Sequence, residues 1–472
     1  MSRKPYILKH YTAELKAGLG CETAESTEHN ERECQSIRKD IQNVRCKAGV
    51  ILSRNKKTLT ICMQVSVNPE VYENIRGVFI MRKNEFMQRA IELAKKGAGH
   101  VNPNPLVGAV IVKEGRIIGE GYHEVYGSLH AERNALKNCT ESAAGAEMYV
   151  TLEPCCHHGK QPPCTQAIID DGIKKVYVGS DDPNSLVAGK GIRQLKAAGI
   201  EVTEHFMQEE CDALNPVFFK YIRSGLPYIA LKYAMSADGR IACDSGLSQW
   251  ITGEEARVHV HKLRNYYSGI LVGIGTVLAD DPMLNCRMEG GRNPVRIVLD
   301  TSLRIPLNSR LVQTAEEIPL TVICGETSEY AGDISKADNS ETVTKTDSVR
   351  SLEFSNKKER LEAAGVRVVA VPTENGHVSI KAALTELGKL GIDGILVEGG
   401  ARINAAFAEA GCVDRVYAYI GAKLLGGEKL RSPLIGAGAG SPDKAILLGN
   451  PKVQVFGDDV LIRYDVRQGG GQ

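Results

Sequence analysis

The chain has 472 residues, of which 43% are hydrophobic and 24% charged, and its 58 basic and 57 acidic side chains leave a net charge of +1. This length exceeds what one hydrophobic core usually serves, so we expect at least two domains. The balanced charge argues against a nucleic-acid or anionic-membrane surface. We expect neither a membrane span nor a secretory signal. Its 13 irregularly spaced cysteines fit reduced thiols in the cytoplasm better than a disulfide framework.

Residues 1–80 differ from the rest of the chain because they are polar and show weak periodicity. We expect a poorly ordered extension; the alternative is that Met81 is the natural initiator. After Met81, apolar residues recur on one helical face at Phe86, Ala90 and Ala94, which predicts a helix.

From there to about residue 223, strands and helices alternate in the pattern of an α/β domain. Short apolar or alternating runs predict strands at 107–113, 116–122, 147–153, 174–180 and 200–204. Helical patterns cover 130–138, 164–172, 191–199 and 207–223. The run 224–227 is predicted to be a linker, so the first structured domain is expected to span 81–225.

A second α/β unit is predicted for residues 226–466. Near-continuous apolar runs, typical of buried parallel strands, cover 227–234, 269–277, 294–300, 365–371, 394–400 and 415–421. A helix is predicted at 254–267, with Thr252 as its N-cap. The polar stretch 326–358 is predicted to be an exposed insertion, and 467–472 a disordered tail.

The strongest chemical signal is the order His130, Glu132, Cys155 and Cys164. A catalytic zinc ion takes three protein ligands and leaves one position for water, whose pKa it lowers. One histidine and two thiolates provide that set. Glu132 would move protons, as in the His-x-Glu…Pro-Cys…Cys signature of zinc nucleobase deaminases. We expect the ligands at the starts of two helices, where thiolates are favoured.

Several alternatives stay open at this point. Cys156 competes with Cys155, although the residue directly after the proline is the usual ligand. His157 and His158 are weaker rivals that we expect to line the pocket. The alternative to a metal site is a buried structural cysteine pair with a surface histidine. Many nucleoside and nucleic-acid deaminases have two residues between their cysteines, whereas eight separate Cys155 and Cys164, which disfavours a nucleic-acid deaminase.

The second half lacks a complete Gly-x-Gly-x-x-Gly fingerprint, since the fragment at 273–276 has no third glycine. More informative is the buried strand that ends at Glu398, Gly399 and Gly400 before a predicted helix. Glycines at a helix N-terminus let the backbone approach a phosphate with free N–H groups. A plain strand-to-helix turn is the alternative.

Longer segments carry a family resemblance. They are NPNPLVGAVIV (102–112), TLEPCCHHGKQPPCTQAI (151–168), DPNSLVAGKG (182–191), KYAMSADGRIA (232–242), SQWITG (248–253), GIGTVLADDPMLNCR (273–287), VEGG (397–400) and AKLLGG (422–427). Together they resemble the bifunctional deaminase-reductases of riboflavin biosynthesis over about residues 82–466. The resemblance implies a cytidine-deaminase-like α/β/α domain followed by a dihydrofolate-reductase-like α/β domain.

The resemblance also implies roles for individual residues. In the deaminase half it implies zinc ligands at His130, Cys155 and Cys164, proton transfer by Glu132, and substrate contacts at Asn104, Lys160, Asp182 and Asn184. In the reductase half it implies NADPH contacts at Tyr233, Ala234, Trp250, Thr276, Asp280, Thr301, Gly400, Ala401, Arg402, Ile403, Asn404, Ala405 and Ala406. Substrate contacts there would be Ser248, Arg264, Leu284, Arg287 and Glu398.

These residue types suit the implied substrate. The two arginines and Ser248 would form a clamp for a ribose 5-phosphate. Lys232 and Asp280 are candidates for polarising or protonating the sugar carbonyl oxygen. Trp250, the single tryptophan, would pack beside the nicotinamide or in the core.

The implied activity has two steps. Zinc-dependent hydrolysis would convert 2,5-diamino-6-(5-phosphoribosylamino)pyrimidin-4(3H)-one to 5-amino-6-(5-phosphoribosylamino)uracil, and NADPH would then reduce the ribosyl group to ribityl. The implied cofactors are one zinc ion and NADPH. The partners would be the small-molecule substrate and further copies of the chain, without nucleic acid or membrane. A binding protein with an inactive reductase fold, or a deaminase with another reductive activity, are the alternatives.

Overall fold

The structure is a computed structural model that describes residues 83–159, 161–326 and 343–467, without the side chains of 343–351. The predicted extension 1–80, Lys160 and the tail beyond Arg467 lie outside the described residues. Among the helices that are described, none is both long and apolar enough to cross a bilayer.

The N-terminal unit is one mixed sheet with helices on both faces. Its strands are β1 (Gly108–Lys113), β2 (Arg116–Tyr122), β3 (Glu147–Leu152), β4 (Lys175–Ser180) and β5 (Glu201–Thr203). Its helices are α1 (83–95), α2 (Ala131–Lys137), α3 (Cys164–Asp170), α4 (Lys190–Ala197), α5 (Gln208–Asp212) and α6 (Pro216–Ser224). The sheet order is β2-β1-β3-β4-β5, in which β3, β4 and β5 are parallel and β1 is antiparallel to both neighbours.

Alternating side chains of β1 contribute to two cores, as the period of a strand dictates. Ala109 and Ile111 are fully buried in the core shared with α2, α3 and α4. Val110 points to the other face, into the core shared with α1. Gly108 lies so close to α1 that an added Cβ would be 1.9 Å from the carbonyl oxygen of Ala90. The two faces therefore form an α/β/α arrangement.

The C-terminal unit is a larger sheet, again covered by helices. Its strands are β6 (Tyr228–Ser236), β7 (Gly269–Gly273), β8 (Val295–Leu299), β9 (Leu320–Gly325), β10 (Arg367–Val371), β13 (Gly394–Val397), β14 (Arg415–Gly421), β15 (Leu448–Phe456) and β16 (Asp459–Val466). A small hairpin joins β11 (Thr373–Glu374) and β12 (His377–Val378). The helices are α7 (Glu254–Tyr266), α8 (Ile274–Asp280), α9 (Arg310–Gln313), α10 (Val343–Ala363), α11 (Ile380–Lys389) and α12 (Ala401–Glu409), with a 3₁₀ turn at Pro442–Lys444.

This sheet has the order β10-β9-β8-β7-β13-β6-β14-β16-β15. In this order, the seven strands from β10 at one edge through β14 are parallel to one another. The β15–β16 hairpin adds an antiparallel edge next to β14. Leu271 of β7 points toward the core that contains α11 and α12, whereas Ile270 and Val272 point toward that of α8, α9 and α10. The buried parallel strands explain why the sequence pattern is continuously apolar there.

Most predicted elements are confirmed to within one to three residues. The predicted strand 269–277 is wrong in its second half, because the strand ends at Gly273 and α8 begins at Ile274. A buried apolar run has no periodicity that separates strand from helix. The predicted helix 207–223 is two helices, since Pro216 occupies the first turn of α6.

One further expectation, the N-cap of α7, is corrected. Thr252 is not the N-cap of α7; Gly253 is, without a side-chain cap, and the carbonyl of Thr252 accepts a hydrogen bond from Arg257 Nη1 at 2.7 Å. Within the predicted exposed insertion 326–358, the chain is helical from Val343 onward, and the side chains from 352 to 358 are exposed or half-buried. Strand β9, helix α11 and the β15–β16 hairpin have no counterpart among the predicted elements.

Candidate functional site

Three potential metal ligands converge at one end of the first sheet. His130 is the N-cap residue of α2, and Cys164 is the first residue of α3. Cys155 lies in the loop after β3 and not at a helix start, which corrects that part of the prediction. The Nδ1 atom of His130 is 3.5 Å from Cys155 Sγ and 3.4 Å from Cys164 Sγ. All three ligand atoms lie within 4.8 Å of one another.

These distances fit a zinc ion. A tetrahedral centre with Zn–N of about 2.05 Å and Zn–S of about 2.3 Å separates nitrogen from sulfur by about 3.6 Å. Among the described residues, no other group of three such side chains meets this criterion. Cys156 is outside the group, because its Sγ contacts the carbonyl oxygen of Leu186 at 3.8 Å. The structure therefore favours Cys155 over Cys156, and three protein ligands leave a coordination position for water.

Glu132 is placed to exchange protons beside this group. It lies in the first turn of α2 and is 3% exposed. Burial, followed by the negative charge of Cys155, raises the pKa of Glu132 to about 7. Contacts with Cys164 and His130 lower the pKa of Cys155 well below its usual value, although burial opposes them. A carboxyl group with a pKa near 7 is suited to general acid–base chemistry at neutral pH.

A cavity of about 240 Å³ opens over the metal ligands. It brings together six of the predicted residues, namely Asn104, His130, Glu132, Cys155, Asp182 and Asn184. The backbone N–H of Asn184 donates to Asp182 Oδ1 at 2.8 Å, and that of Leu186 to Asn184 Oδ1 at 3.0 Å. Each side chain therefore stabilises the turn and still has a second polar atom for a ligand. Burial raises the pKa of Asp182 to about 6.

The cavity wall contains residues that the sequence analysis did not assign. His123 is 3% exposed and places Nε2 3.1 Å from Asn104 Nδ2. Phe218 reaches the cavity from α6. Buried Glu153 accepts hydrogen bonds from the backbone of Gly189 at 2.8 Å and Ile192 at 3.2 Å, and so fixes the loop that carries Asn184. The position of Glu153 directly before Pro154 and Cys155 in the motif could have indicated a role at the site. No feature of the sequence indicates His123.

The second candidate site lies where parallel strands end. Leu231 pairs with Val397, Val397 with Leu271, and Gly273 with Leu299, so the carboxyl ends of β6, β13, β7 and β8 share one edge. Ligands of open α/β sheets bind at such edges. Helix α12 packs tightly here, since a Cβ on Gly273 or Gly399 would lie 2.6 Å from the Ile403 side chain. A Cβ on Gly400 would meet nothing within 4 Å, so its backbone is open to a ligand.

A charged network occupies this edge. Glu398 is bonded by Arg264 through Nε at 2.8 Å and Nη2 at 3.1 Å, and Lys232 Nζ lies 3.5 Å away. Burial acts to raise the pKa of Glu398, but the positive charges of Arg264 and Lys232 outweigh it and hold the pKa at about 2. The carboxylate is therefore ionised at neutral pH.

The two arginines predicted to clamp the phosphate lie in different surroundings. Arg264 also donates from Nη1 to Asn285 O at 3.0 Å, so each of its three guanidinium nitrogens has a protein partner. Arg287 is exposed, and its Nε donates to His261 Nε2 at 3.0 Å. Burial and the two arginines lower the pKa of His261 to about 4, which keeps this acceptor neutral.

Other predicted reductase residues lie at or near the same edge. Tyr233 and Ala234 lie on β6, just beyond the residues of that strand that pair with β13. Thr301 lies just after β8, where its hydroxyl accepts a hydrogen bond from Val378 N–H at 3.2 Å. Trp250 is 57% exposed, with Arg257 4.6 Å from its ring, and is not a core residue.

The remaining predicted positions are more scattered. Thr276 is in the first turns of α8, Asp280 is exposed at the end of that helix, and Ser248 is exposed. Leu284 is 5% exposed and packs in a hydrophobic core. Residues 400–406 form the N-terminal half of α12, where Asn404 donates to Pro433 O at 2.9 Å.

Comparisons with known proteins agree with this division. Residues 81–180 match the model of the cytidine and deoxycytidylate deaminase zinc-binding region, and residues 227–462 match that of the RibD C-terminal domain. The riboflavin biosynthesis protein RibD of Actinobacillus pleuropneumoniae is 49% identical over 382 residues, covering 81% of this chain and 95% of that protein. RibD of Escherichia coli is 39% identical over 361 residues, covering 74% and 90%. The chain belongs to the RibD family.

Solved structures support the same assignment. RibD of Acinetobacter baumannii superposes with a TM-score of 0.70 at 35% identity, covering 82% of this chain and all of that one. A deaminase/reductase from Thermotoga maritima gives a TM-score of 0.67 at 36% identity, with coverage of 82% and 100%. The predicted fold class, an α/β deaminase domain followed by an α/β reductase domain, is confirmed, as is the resemblance to the deaminase-reductases of riboflavin biosynthesis.

Serine substitutions distinguish the two adjacent cysteines. Cys155→Ser removes one of three ligands, so we expect most of the bound zinc to be lost on dialysis. Cys156→Ser is the matched control and should retain about one zinc ion per chain, because its sulfur is outside the ligand group. Zinc content measured by emission spectroscopy decides the assignment. Loss of zinc from Cys156→Ser with retention in Cys155→Ser would reverse it.

The network around Glu398 predicts a pH-dependent contribution to stability. The pKa of the Glu398 carboxyl group is lower in the folded protein than in an unfolded chain. The stabilisation is therefore present above about pH 4.5 and disappears as the pH falls toward about 2. Glu398→Gln should lower the free energy of unfolding by roughly 2–3 kcal/mol at pH 7. Urea unfolding of both proteins from pH 7 downward tests this. A difference that stays constant or widens toward pH 3 would contradict the ionised network.

Proposed function

We infer that this chain catalyses two consecutive reactions of riboflavin biosynthesis. The first is hydrolytic deamination of 2,5-diamino-6-(5-phosphoribosylamino)pyrimidin-4(3H)-one to 5-amino-6-(5-phosphoribosylamino)uracil. The second is NADPH-dependent reduction of the ribosyl group to ribityl. The observation that carries the deaminase is a set of three zinc ligands with buried Glu132 beside it, at the base of a polar cavity. The Thermotoga maritima relative bears both activities in its name.

His130, Cys155 and Cys164 would hold the zinc ion, which supplies a water molecule acidified enough to act as a nucleophile at neutral pH. The carboxylate of Glu132 would accept one proton from the water as the water oxygen bonds to ring carbon C2, and would pass it to the ring nitrogen. Glu132 would then take the remaining proton from the new C2 hydroxyl and give it to the amino group, so that the bond between C2 and the amino nitrogen breaks, ammonia leaves and a C2 carbonyl remains. A pKa of about 7 allows Glu132 to take and return the proton.

The polar wall of the cavity recognises the pyrimidine. Asn104, Asp182 and Asn184 offer donors and acceptors for the ring edge, and each is fixed by a hydrogen bond to protein. We assign Lys160 to the substrate phosphate as a point charge. It lies outside the described residues and enters on sequence grounds alone.

In the reductase half, NADPH would supply the hydride. Its pyrophosphate fits the N-terminus of α12, where the open backbone at Gly400 and the helix dipole favour an anion. Tyr233, Ala234, Trp250, Thr276 and Thr301 would contact the rest of the cofactor. Of the two candidates for the sugar oxygen, Lys232 is favoured over exposed Asp280, because Glu398 holds its ammonium group at the same strand edge. Arg287 and Ser248 are the exposed candidates for the phosphate.

We also propose that the protein works in the cytoplasm as a homo-oligomer on a small-molecule substrate, with neither nucleic acid nor membrane as partner. The net charge of +1 supports the absence of a polyanionic partner. Val453 and Val455 on edge strand β15 are 65% and 63% exposed, which supports contact between copies of the chain.

Replacing Glu132 tests the deaminase assignment directly. Zinc-loaded Glu132→Gln should bind the metal normally but release ammonia from the diaminopyrimidinone about 10²- to 10⁴-fold more slowly, because the proton carrier is lost. Its NADPH oxidation with the already deaminated ribosyl phosphate should match that of the unaltered protein. Coupled ammonia and absorbance assays measure both. Ammonia release at an unaltered rate would refute the role of Glu132, and no release by the unaltered, zinc-loaded protein would refute the deaminase.

A further inference from the structure

The cavity residue Asn104 stands on a tight turn. Its backbone N–H donates to the carbonyl of Val101 at 2.8 Å, which closes a four-residue turn that contains Asn102. The side chain of Asn104 faces His123 Nε2 and lines the cavity over the metal ligands. Because Asn102 and Asn104 belong to one closed turn, a displacement of Asn102 is transmitted to Asn104.

Residues of the C-terminal unit bond the Asn102 side chain at both ends. Asn102 Nδ2 donates to Asp393 Oδ2 at 2.8 Å, and Arg292 Nη2 donates to Asn102 Oδ1 at 3.5 Å. Asp393 is 1% exposed, and its other oxygen accepts a hydrogen bond from Ser268 Oγ. A hydrogen bond to a buried carboxylate that is itself fixed imposes a definite position on its donor.

The same segment is held on either side of the turn. Asn265 of α7 donates from Nδ2 to Ala98 O at 3.3 Å, and a Cβ on neighbouring Gly99 would lie 2.3 Å from that nitrogen. After the turn, Asn215 bonds both backbone groups of Leu106, at 2.7 and 2.8 Å. The chain from 98 to 106 is thus fixed at three points, and the first two are contacts with the C-terminal unit.

We propose that the reductase unit completes the deaminase site, with Asp393 and Arg292 as positioning residues that hold Asn102 and thereby set Asn104 against the pyrimidine. The inference rests on the proposed deaminase function and on substrate contact by Asn104. Neither Asp393 nor Arg292 lines the cavity, so they act through the turn. Covalent union of the two units then has a chemical consequence, because recognition in the first reaction depends on the domain that carries out the second.

The test uses the full-length, zinc-loaded protein and the diaminopyrimidinone ribosyl phosphate. For Asn102→Ala we expect the deaminase KM to rise about 3- to 10-fold, with kcat changed less than about twofold, because ground-state positioning is lost while the metal ligands and Glu132 are untouched. NADPH oxidation with the deaminated substrate and zinc content should stay as in the unaltered protein.

A double variant that exchanges the hydrogen-bond donor and acceptor, and a control variant away from the turn, test whether the effect is specific. Asn102→Asp with Asp393→Asn exchanges donor and acceptor, so the double variant should restore KM to within about twofold. Tyr221→Phe removes another bond between the units, from the Tyr221 hydroxyl to Gly388 O at 3.0 Å, which does not involve the turn, and should leave KM unchanged.

Three outcomes overturn the inference. An unaltered KM in Asn102→Ala would show that the turn needs no support from the reductase unit. An equal rise in KM for Tyr221→Phe, or a parallel loss of reductase rate, would show general loosening of the protein. Absence of ammonia release from the unaltered protein would instead refute the proposed function on which the inference rests.

Discussion

The approach of His130 Nδ1 to two cysteine sulfurs, at 3.4 and 3.5 Å, is the arrangement on which the deaminase half depends. These separations suit tetrahedral coordination by one nitrogen and two thiolates and leave one position for water. The fold enforces them, because His130 and Cys164 occupy the beginnings of α2 and α3 on the same face of the sheet. Glu132 lies in the first turn of α2, two residues after His130, and is therefore beside the ligands. Burial there raises the pKa of Glu132 to about 7.

A related principle organises the reductase half. The parallel strands β6, β7, β8 and β13 end at one edge, and glycines at 273 and 399 allow α12 to approach that edge closely. Glu398 is buried there between Arg264 and Lys232, and their charges compensate its desolvation. In both halves, therefore, polar chemistry is concentrated where strands end and helices begin, since side chains and backbone N–H groups can converge there without disturbing the cores.

The sequence was most informative where function depends on short spacings. The motif of His130, Glu132, Cys155 and Cys164 predicted the metal group that the structure brings together, and the resemblance predicted both domains. The division of 269–277 between strand and helix was not predictable, because a buried apolar run looks the same in either. The ion pair of Arg264 and the contact between Asn102 and Asp393 join residues 134 and 291 positions apart, and no local pattern encodes such pairs.

We propose that the first half holds an open, catalytic zinc site and not a closed structural one. X-ray absorption spectroscopy of the zinc-loaded protein distinguishes the two. An open site should show two sulfur neighbours at about 2.3 Å and two nitrogen or oxygen neighbours at about 2.0–2.1 Å, one of them from exchangeable water. Three or four sulfur neighbours would mean that Cys156 or another thiol closes the site, and would contradict the assignment of a hydrolytic deaminase.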